Sequence, residues 1–177
     1  MARPQHPDPS LRLGKGMIAA AWILVLVVLT MIFNGYLAGQ RNPNRDPETR
    51  RDADGAAEVV LKANRDGHYV ATGRINGQAV EFLLDTGASD VSVPGQLARR
   101  LGLHAGAPAR YDTANGPITA YRTVIDTLSL GSIVVHDVAA SINPQADGDS
   151  VLLGMTVLRR VDFSQRGNRL ILRQPGS

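Results

Sequence analysis

The sequence predicts an all-β domain of short strands with one or two short helices, preceded by one transmembrane helix. Three observations predict it. A 22-residue uncharged apolar run lies near the N-terminus, Met17 to Ala38. A charged, proline-containing stretch follows it. Beyond that, short apolar runs are broken repeatedly by turns containing Gly and Asn.

The apolar run is MIAAAWILVLVVLTMIFNGYLA. As a helix it would span about 33 Å, enough to cross the hydrocarbon core. Trp22 and Tyr36 lie towards its two ends, where amphipathic rings favour the interface. The run is too long for a typical signal-peptide core, and Tyr36-Leu37-Ala38 is a poor small-x-small cleavage site. Residues 16–38 therefore read as an uncleaved signal anchor, with membrane contact through 17–38. Residues 1–15 read as a disordered basic tail. Residues 39–57, which hold two prolines and many charges, read as a linker.

The folded domain is expected over 58–174. Glu58–Ala63 is a first strand, closed by an Asn64-to-Gly67 turn. His68–Ile75 and Gln78–Leu84 flank Asn76-Gly77, a two-residue hairpin signal in which both positions take positive φ. Val91–Val93 is a short buried strand. Pro94 opens a helical turn over Gly95–Leu101. Ala109–Ala114 and Ile118–Leu130 form a second hairpin around Asn115-Gly116. Ile133–Ile142, Val151–Leu153, a short helix Met155–Arg160, and the strands Val161–Ser164 and Leu170–Arg173 complete the chain.

Composition excludes several function classes. The 177 residues include no cysteine, which removes disulfides, thiolate nucleophiles and cysteine-based metal sites. The net charge of +3 is concentrated in the N-terminal 38 residues, where Arg3, Arg12 and Lys15 outweigh Asp8. The near-neutral remainder argues against nucleic acid as a partner. His6, His68, His104 and His136 show no metal-ligand spacing, so no metal is expected. Asp52-Ala53-Asp54-Gly55 lacks the other ligands of a calcium loop.

The string that carries chemistry is Phe82-Leu83-Leu84-Asp85-Thr86-Gly87-Ala88-Ser89. An apolar strand runs directly into an acid, a small hydroxyl residue and a glycine. Burying a carboxylate at the end of a core strand is costly unless it is satisfied. Gly87 permits a tight turn and Thr86 can donate a hydrogen bond from within it. An ordinary β-turn with Asp in a favoured place would look the same as a bare tripeptide.

The flanking sequence resembles the retropepsin-like aspartic proteases, specifically their bacterial single-span, membrane-anchored members. GHYVATGRINGQAVEFLLDTGASDVSVP (67–94) is similar to that family's hairpin and catalytic loop. Leu152-Leu153-Gly154-Met155 is similar to its hydrophobic-hydrophobic-Gly motif, and Val161-Asp162-Phe163 with Asn168–Arg173 to its closing strands. The resemblance implies a retropepsin-like acid-protease barrel and an aspartic endopeptidase that needs no cofactor. Asp85 would be catalytic. Thr86, Gly87, Ala88, Leu153 and Gly154 would shape and support the loop. Thr113, Ala114, Asn115 and Gly116 would form a substrate-binding flap.

In such enzymes two carboxylates share one proton and activate a water between them. A second Asp-Thr/Ser-Gly is absent: Asp126-Thr127-Leu128 lacks glycine, and Asp147–Ser150 lies in a polar loop. The resemblance therefore implies a homodimer with Asp85 from each copy on the two-fold axis, acting on a protein or peptide substrate. It implies a single-pass protein of a bacterial inner membrane, and the short N-terminal tail makes translocation of the protease domain to the periplasm the expected outcome. Ala88 cannot donate a side-chain hydrogen bond to the acid, which implies activity at mildly acidic to near-neutral pH. Ser89 stands where retroviral enzymes commonly have Asp, and Asp90 follows one place later. Two other functions fit the sequence: a non-catalytic binding or dimerisation module on a membrane stalk, and self-processing within 39–57.

Overall fold

The computed structural model describes residues 9–52, 55–113 and 116–175. The chain divides into two compact units, one ending at Gly39 and one beginning at Gln40. The first unit is helical: α1 runs from Pro9 to Arg41. Proline fits a first helical turn because its missing N–H would have no partner there. Residues 9–15, expected as disordered tail, are thus helical; residues 1–8 lie outside the described residues. Trp22, Leu24, Leu29, Ile32 and Phe33 are all exposed. The hydroxyl of Thr30 folds back to the Leu26 carbonyl at 2.7 Å, so the apolar run hides its own polar group. Gly16–Arg41 is long and apolar enough to cross a membrane, a test of length and composition that a signal sequence also passes.

Among the described residues the second unit is built from eleven strands and two short helices. In chain order they are β1 (Glu48–Arg51), β2 (Ala57–Lys62), β3 (Val70–Ile75), β4 (Gln78–Leu84), β5 (Val91–Pro94), α2 (Gly95–Arg100), β6 (Pro108–Thr113), β7 (Gly116–Leu130), β8 (Ile133–Asn143), β9 (Ser150–Leu153), α3 (Met155–Leu158), β10 (Asp162–Arg166) and β11 (Arg169–Gln174). Seven strands form one sheet in the order β3-β4-β9-β5-β8-β7-β6. β3 also pairs with β7, through Arg74 with Ser129 and Ile75 with Leu128, and so closes the sheet on itself. A second sheet has the order β1-β2-β11-β10. All its pairings are antiparallel.

Alternation explains most of these strands. Ile133, Val135 and Val138 of β8 point inward while Val134 and His136 point out. The β3–β4 hairpin turns at Asn76 and Gly77, with φ of 47° and 81°, as a two-residue turn requires. Phe82, Ile75, Ile125, Leu128, Val151 and Leu153 are fully buried at the centre. At about 1.5–3 kcal/mol for each large side chain, this burial is the main force holding the barrel together.

The stretch expected as linker is part of the fold. β1 pairs with β2, Glu48 opposite Val60 and Arg51 opposite Ala57. Asn42 and Asn44 are each only 3% exposed. The Asn44 amide donates to the carbonyls of Lys62 (2.9 Å) and Val70 (2.7 Å), and its oxygen accepts from the Lys62 N–H (2.7 Å). Asn42 donates to Thr72 and Glu81 and accepts from the Asn44 N–H. Asp52 ion-pairs with Arg173 of β11. A polar, charged segment suits a linker by composition. Here its polar groups instead satisfy backbone groups at the edges of two strands. Ala53 and Asp54 lie outside the described residues.

Candidate active site

Two parallel strands bring the two halves of the site together. β4 lies beside β9, with Leu84 opposite Leu153, so Asp85 and Gly154 leave adjacent strands side by side. The Asp85 N–H donates to the Leu153 carbonyl at 3.1 Å. The Asp85 carbonyl accepts from the Ala88 N–H at 3.2 Å, which closes the turn. The Gly87 N–H donates to Asp85 Oδ1 at 2.8 Å and fixes the carboxylate. The Met155 N–H then donates to the Ala88 carbonyl at 2.9 Å, tying the loop to the start of α3.

Gly154 is needed for lack of space. A Cβ there would lie 2.1 Å from the Asp90 carbonyl oxygen and 2.6 Å from that of Ala88. Both are backbone atoms of the Asp85 loop, so only glycine lets the two segments lie this close. Leu153, 1% exposed, anchors the same strand in the core.

The partly exposed Asp85 borders two hollows. One, of about 500 Å³, is lined by Asp85, Gly87, Ala88 and Asp90 on the loop side and by Tyr111, Thr113 and Ile118 on the β6–β7 side. Ser141 and Leu152 complete its walls. The other, of about 380 Å³, is lined by Tyr69, Leu84, Asp85, Thr86, Leu158 and Phe163. Thr86 is exposed, and its hydroxyl has no hydrogen bond among the described residues.

The β6–β7 hairpin carries the residues expected as a flap. Thr113 pairs with Gly116, and its hydroxyl donates to the Gly116 carbonyl at 2.7 Å. Ala114 and Asn115 lie outside the described residues. Thr113 lines the same hollow as Asp85; Gly116 does not.

Sequence reasoning missed a second acid at the site. Asp90 is partly buried, and its carboxylate accepts from the Tyr111 hydroxyl (3.0 Å) and the Ser141 hydroxyl (3.1 Å). Burial pushes the Asp90 carboxyl above its ordinary value, and the two hydroxyl bonds only partly offset it. Tyr111 is pushed up by burial and, next, by its bond to Asp90, so it stays a donor. The signal available in sequence was alternation: Ala109 and Tyr111 are the inward positions of β6. Among the described residues no group of three His, Cys, Asp or Glu could hold a metal ion.

Comparison with known proteins agrees with this geometry. Residues 71–160 match the family described as gag-polyprotein putative aspartyl protease. An uncharacterized Sinorhizobium protein in the cobV 5' region is 30% identical over 180 residues, covering 92% of this chain and 75% of that protein. An uncharacterized protein of Rickettsia prowazekii is 27% identical over 106 residues, 58% of this chain and 45% of that protein. The crystal structure of a retropepsin-like aspartic protease from Rickettsia conorii superposes with a TM-score of 0.55 at 23% identity, covering 73% of this chain and 95% of that one. This chain belongs to the gag-polyprotein putative aspartyl protease family and has the retropepsin-like fold.

Proposed function

We propose that this protein is an aspartic endopeptidase that works as a homodimer, each copy contributing Asp85. One observation carries the reading. A carboxylate held by a backbone N–H, on a loop pinned at Leu153 and Ala88, opens into a cavity of about 500 Å³ beneath a β-hairpin. Fixed placement of the acid and a cavity that admits an extended peptide are what acid-catalysed hydrolysis needs. Two such carboxylates would share one proton. One would take a proton from the attacking water, and the other would donate to the scissile carbonyl. Gly87, Ala88, Leu153 and Gly154 hold the loop; the exposed Thr86 would bond to the partner copy's loop, and Thr113 to Gly116 would close over the substrate. No metal or cofactor takes part. Activity should peak at mildly acidic to near-neutral pH, because Ala88 offers the acid no side-chain hydrogen bond.

Features of the second sheet support pairing of two copies. β10 is an edge strand exposed along its whole length, and Phe163 on it is 46% exposed. An unpaired edge is a ready template for another strand. Its sequence, Asp-Phe-Ser-Gln-Arg, is self-complementary when paired antiparallel about Ser164, because Asp162 then faces the partner's Arg166. Phe163 lines the hollow that holds Asp85 and Thr86, so pairing here would bring the two catalytic loops towards each other. The Tyr69 hydroxyl in that hollow is buried without a hydrogen bond among the described residues.

α1 would act as a signal anchor through 17–38, fixing the chain in a bacterial inner membrane with the protease domain in the periplasm. Confinement to one membrane raises the effective concentration of two weakly pairing copies. The test is cleavage of casein by the full chain in detergent micelles, with and without Asp85→Asn. Cleavage by the wild type alone supports the reading. No cleavage by a verified folded dimer would leave a binding module.

A further inference from the structure

Asp90 lies between Asp85 and β5, and its two oxygens are held by two other parts of the fold. Oδ2 accepts from Tyr111 on β6, and Oδ1 accepts from Ser141 on β8. One side chain thus joins the catalytic loop, the hairpin that overhangs the cavity and the strand at its wall. No cation is ion-paired with Asp90 among the described residues. Its charge is met by the two hydroxyl donors and its own backbone N–H.

We propose that Asp90 is a positioning residue that fastens the β6–β7 hairpin over the cavity through Tyr111, so that closure of the cleft on substrate depends on it. The proposal rests on the endopeptidase reading for its effect on substrate, but not for the latch itself. Three observations lead to it. Tyr111 lies two residues before Thr113 on β6 and pairs with Ile118 of β7, so a bond there restrains both strands of the hairpin. Tyr111 lines the same cavity as Asp85 and Asp90. Ser141, 2% exposed, holds the acceptor in place from behind.

Ionisation sets the strength of the latch. A hydrogen bond to a carboxylate is roughly twice as strong as one to a neutral acid. Burial outweighs these bonds and leaves the Asp90 carboxyl raised, so opening, which returns it to water, is favoured as pH rises through that raised value, and the hairpin loosens there. The other charged groups facing the pair are Asp85 on the loop, Asp112 on β6 and Arg122 on β7. Arg122 acts on Tyr111 in the opposite sense to Asp90.

Amide hydrogen exchange on the full chain in detergent micelles tests the latch without reference to cleavage. In Tyr111→Phe, amides of 108–121 should exchange about tenfold faster, while those of β4 and β9 stay unchanged. In the wild type the same amides, corrected for intrinsic rate, should gain exchange as pH rises through the raised Asp90 value. Asp90→Asn keeps the shape and an acceptor oxygen, and should make that dependence flat. With a cleavable peptide, Tyr111→Phe should raise KM about tenfold and change kcat less than twofold. Exchange in Tyr111→Phe within twofold of wild type, or an unchanged pH dependence in Asp90→Asn, overturns the latch. Normal latch behaviour with no cleavage by the wild type would instead overturn the endopeptidase reading. Should Tyr111→Phe fail to fold, the pH profile of Asp90→Asn decides alone.

Discussion

Replacing Gly154 with alanine tests whether the second motif supports the catalytic loop by yielding space to it. Gly154 has φ of −95° and ψ of −166°, a conformation open to any residue, so the cost is one of contact and not of backbone strain. The new methyl carbon would lie 2.1 Å from the Asp90 oxygen and 2.6 Å from the Ala88 oxygen. These are about 1.3 Å and about 0.8 Å inside an ordinary carbon–oxygen contact of about 3.4 Å. The Ala88 carbonyl cannot retreat freely, because its oxygen accepts from the Met155 N–H at 2.9 Å. Overpacking of this kind costs about 1–3 kcal/mol, and losing that hydrogen bond adds about 1 kcal/mol. The expected total is about 2–4 kcal/mol. For a domain of this size that lowers the melting temperature by about 8–16 °C. Differential scanning calorimetry of the full chain in micelles reads it, with Gly39→Ala as the control because nothing lies within 4 Å of its Cβ position. Gly87→Ala should be milder, since its Cβ would meet only the Asp85 side chain at 3.2 Å. A Gly154→Ala protein that melts within about 3 °C of wild type and still cleaves would refute the reasoning.

Three further perturbations probe other parts of the account. Asn44→Ala removes three buried hydrogen bonds to Lys62 and Val70 and should destabilise the domain by about 3 kcal/mol in urea unfolding; a loss under about 1 kcal/mol would show that 42–51 is held by something else. Ser164→Cys should form a disulfide-linked dimer on mild oxidation, because directly opposed antiparallel residues have Cα atoms about 4.5–5.5 Å apart and the native chain has no thiol to interfere; only monomer on a non-reducing gel argues against pairing at β10. Asp90→Asn should raise the melting temperature near neutral pH and do so less in acid. The folded-state carboxyl is raised, so wild-type stability falls as pH climbs from the ordinary aspartate value of 3.8 through the folded one, and the amide does not follow. Equal melting shifts at both pH values contradict that sign.

Much of this fold was legible because turns and alternation are local properties. Asn76-Gly77 marks a hairpin wherever it occurs, and the β3–β4 pair forms on either side of it. β1 left no such mark: Glu-Thr-Arg-Arg is exposed at all four positions and is a strand only because β2 offers it a free edge. Asn42 and Asn44 read as linker for the same reason. Their partners lie on β2, β3 and β4, and a short polar residue gives no sign in sequence of which backbone groups it will satisfy. The Asp85 string stood out because an acid directly after Phe-Leu-Leu conflicts with burial. Asp90 showed only its place one residue after Ser89, with no sign of what it would bond to. Its role needs Tyr111 and Ser141, which are 21 and 51 positions away.

The most direct test of the central claim mixes wild type and Asp85→Asn at equal amounts, under conditions that let copies exchange. If every active site needs Asp85 from both copies, random pairing leaves roughly a quarter of the activity of the same total amount of wild type. If each chain acts alone, about half remains. A value near one quarter, with Asp85→Asn inactive by itself and still dimeric, is the expected result; a value near one half would contradict the shared site.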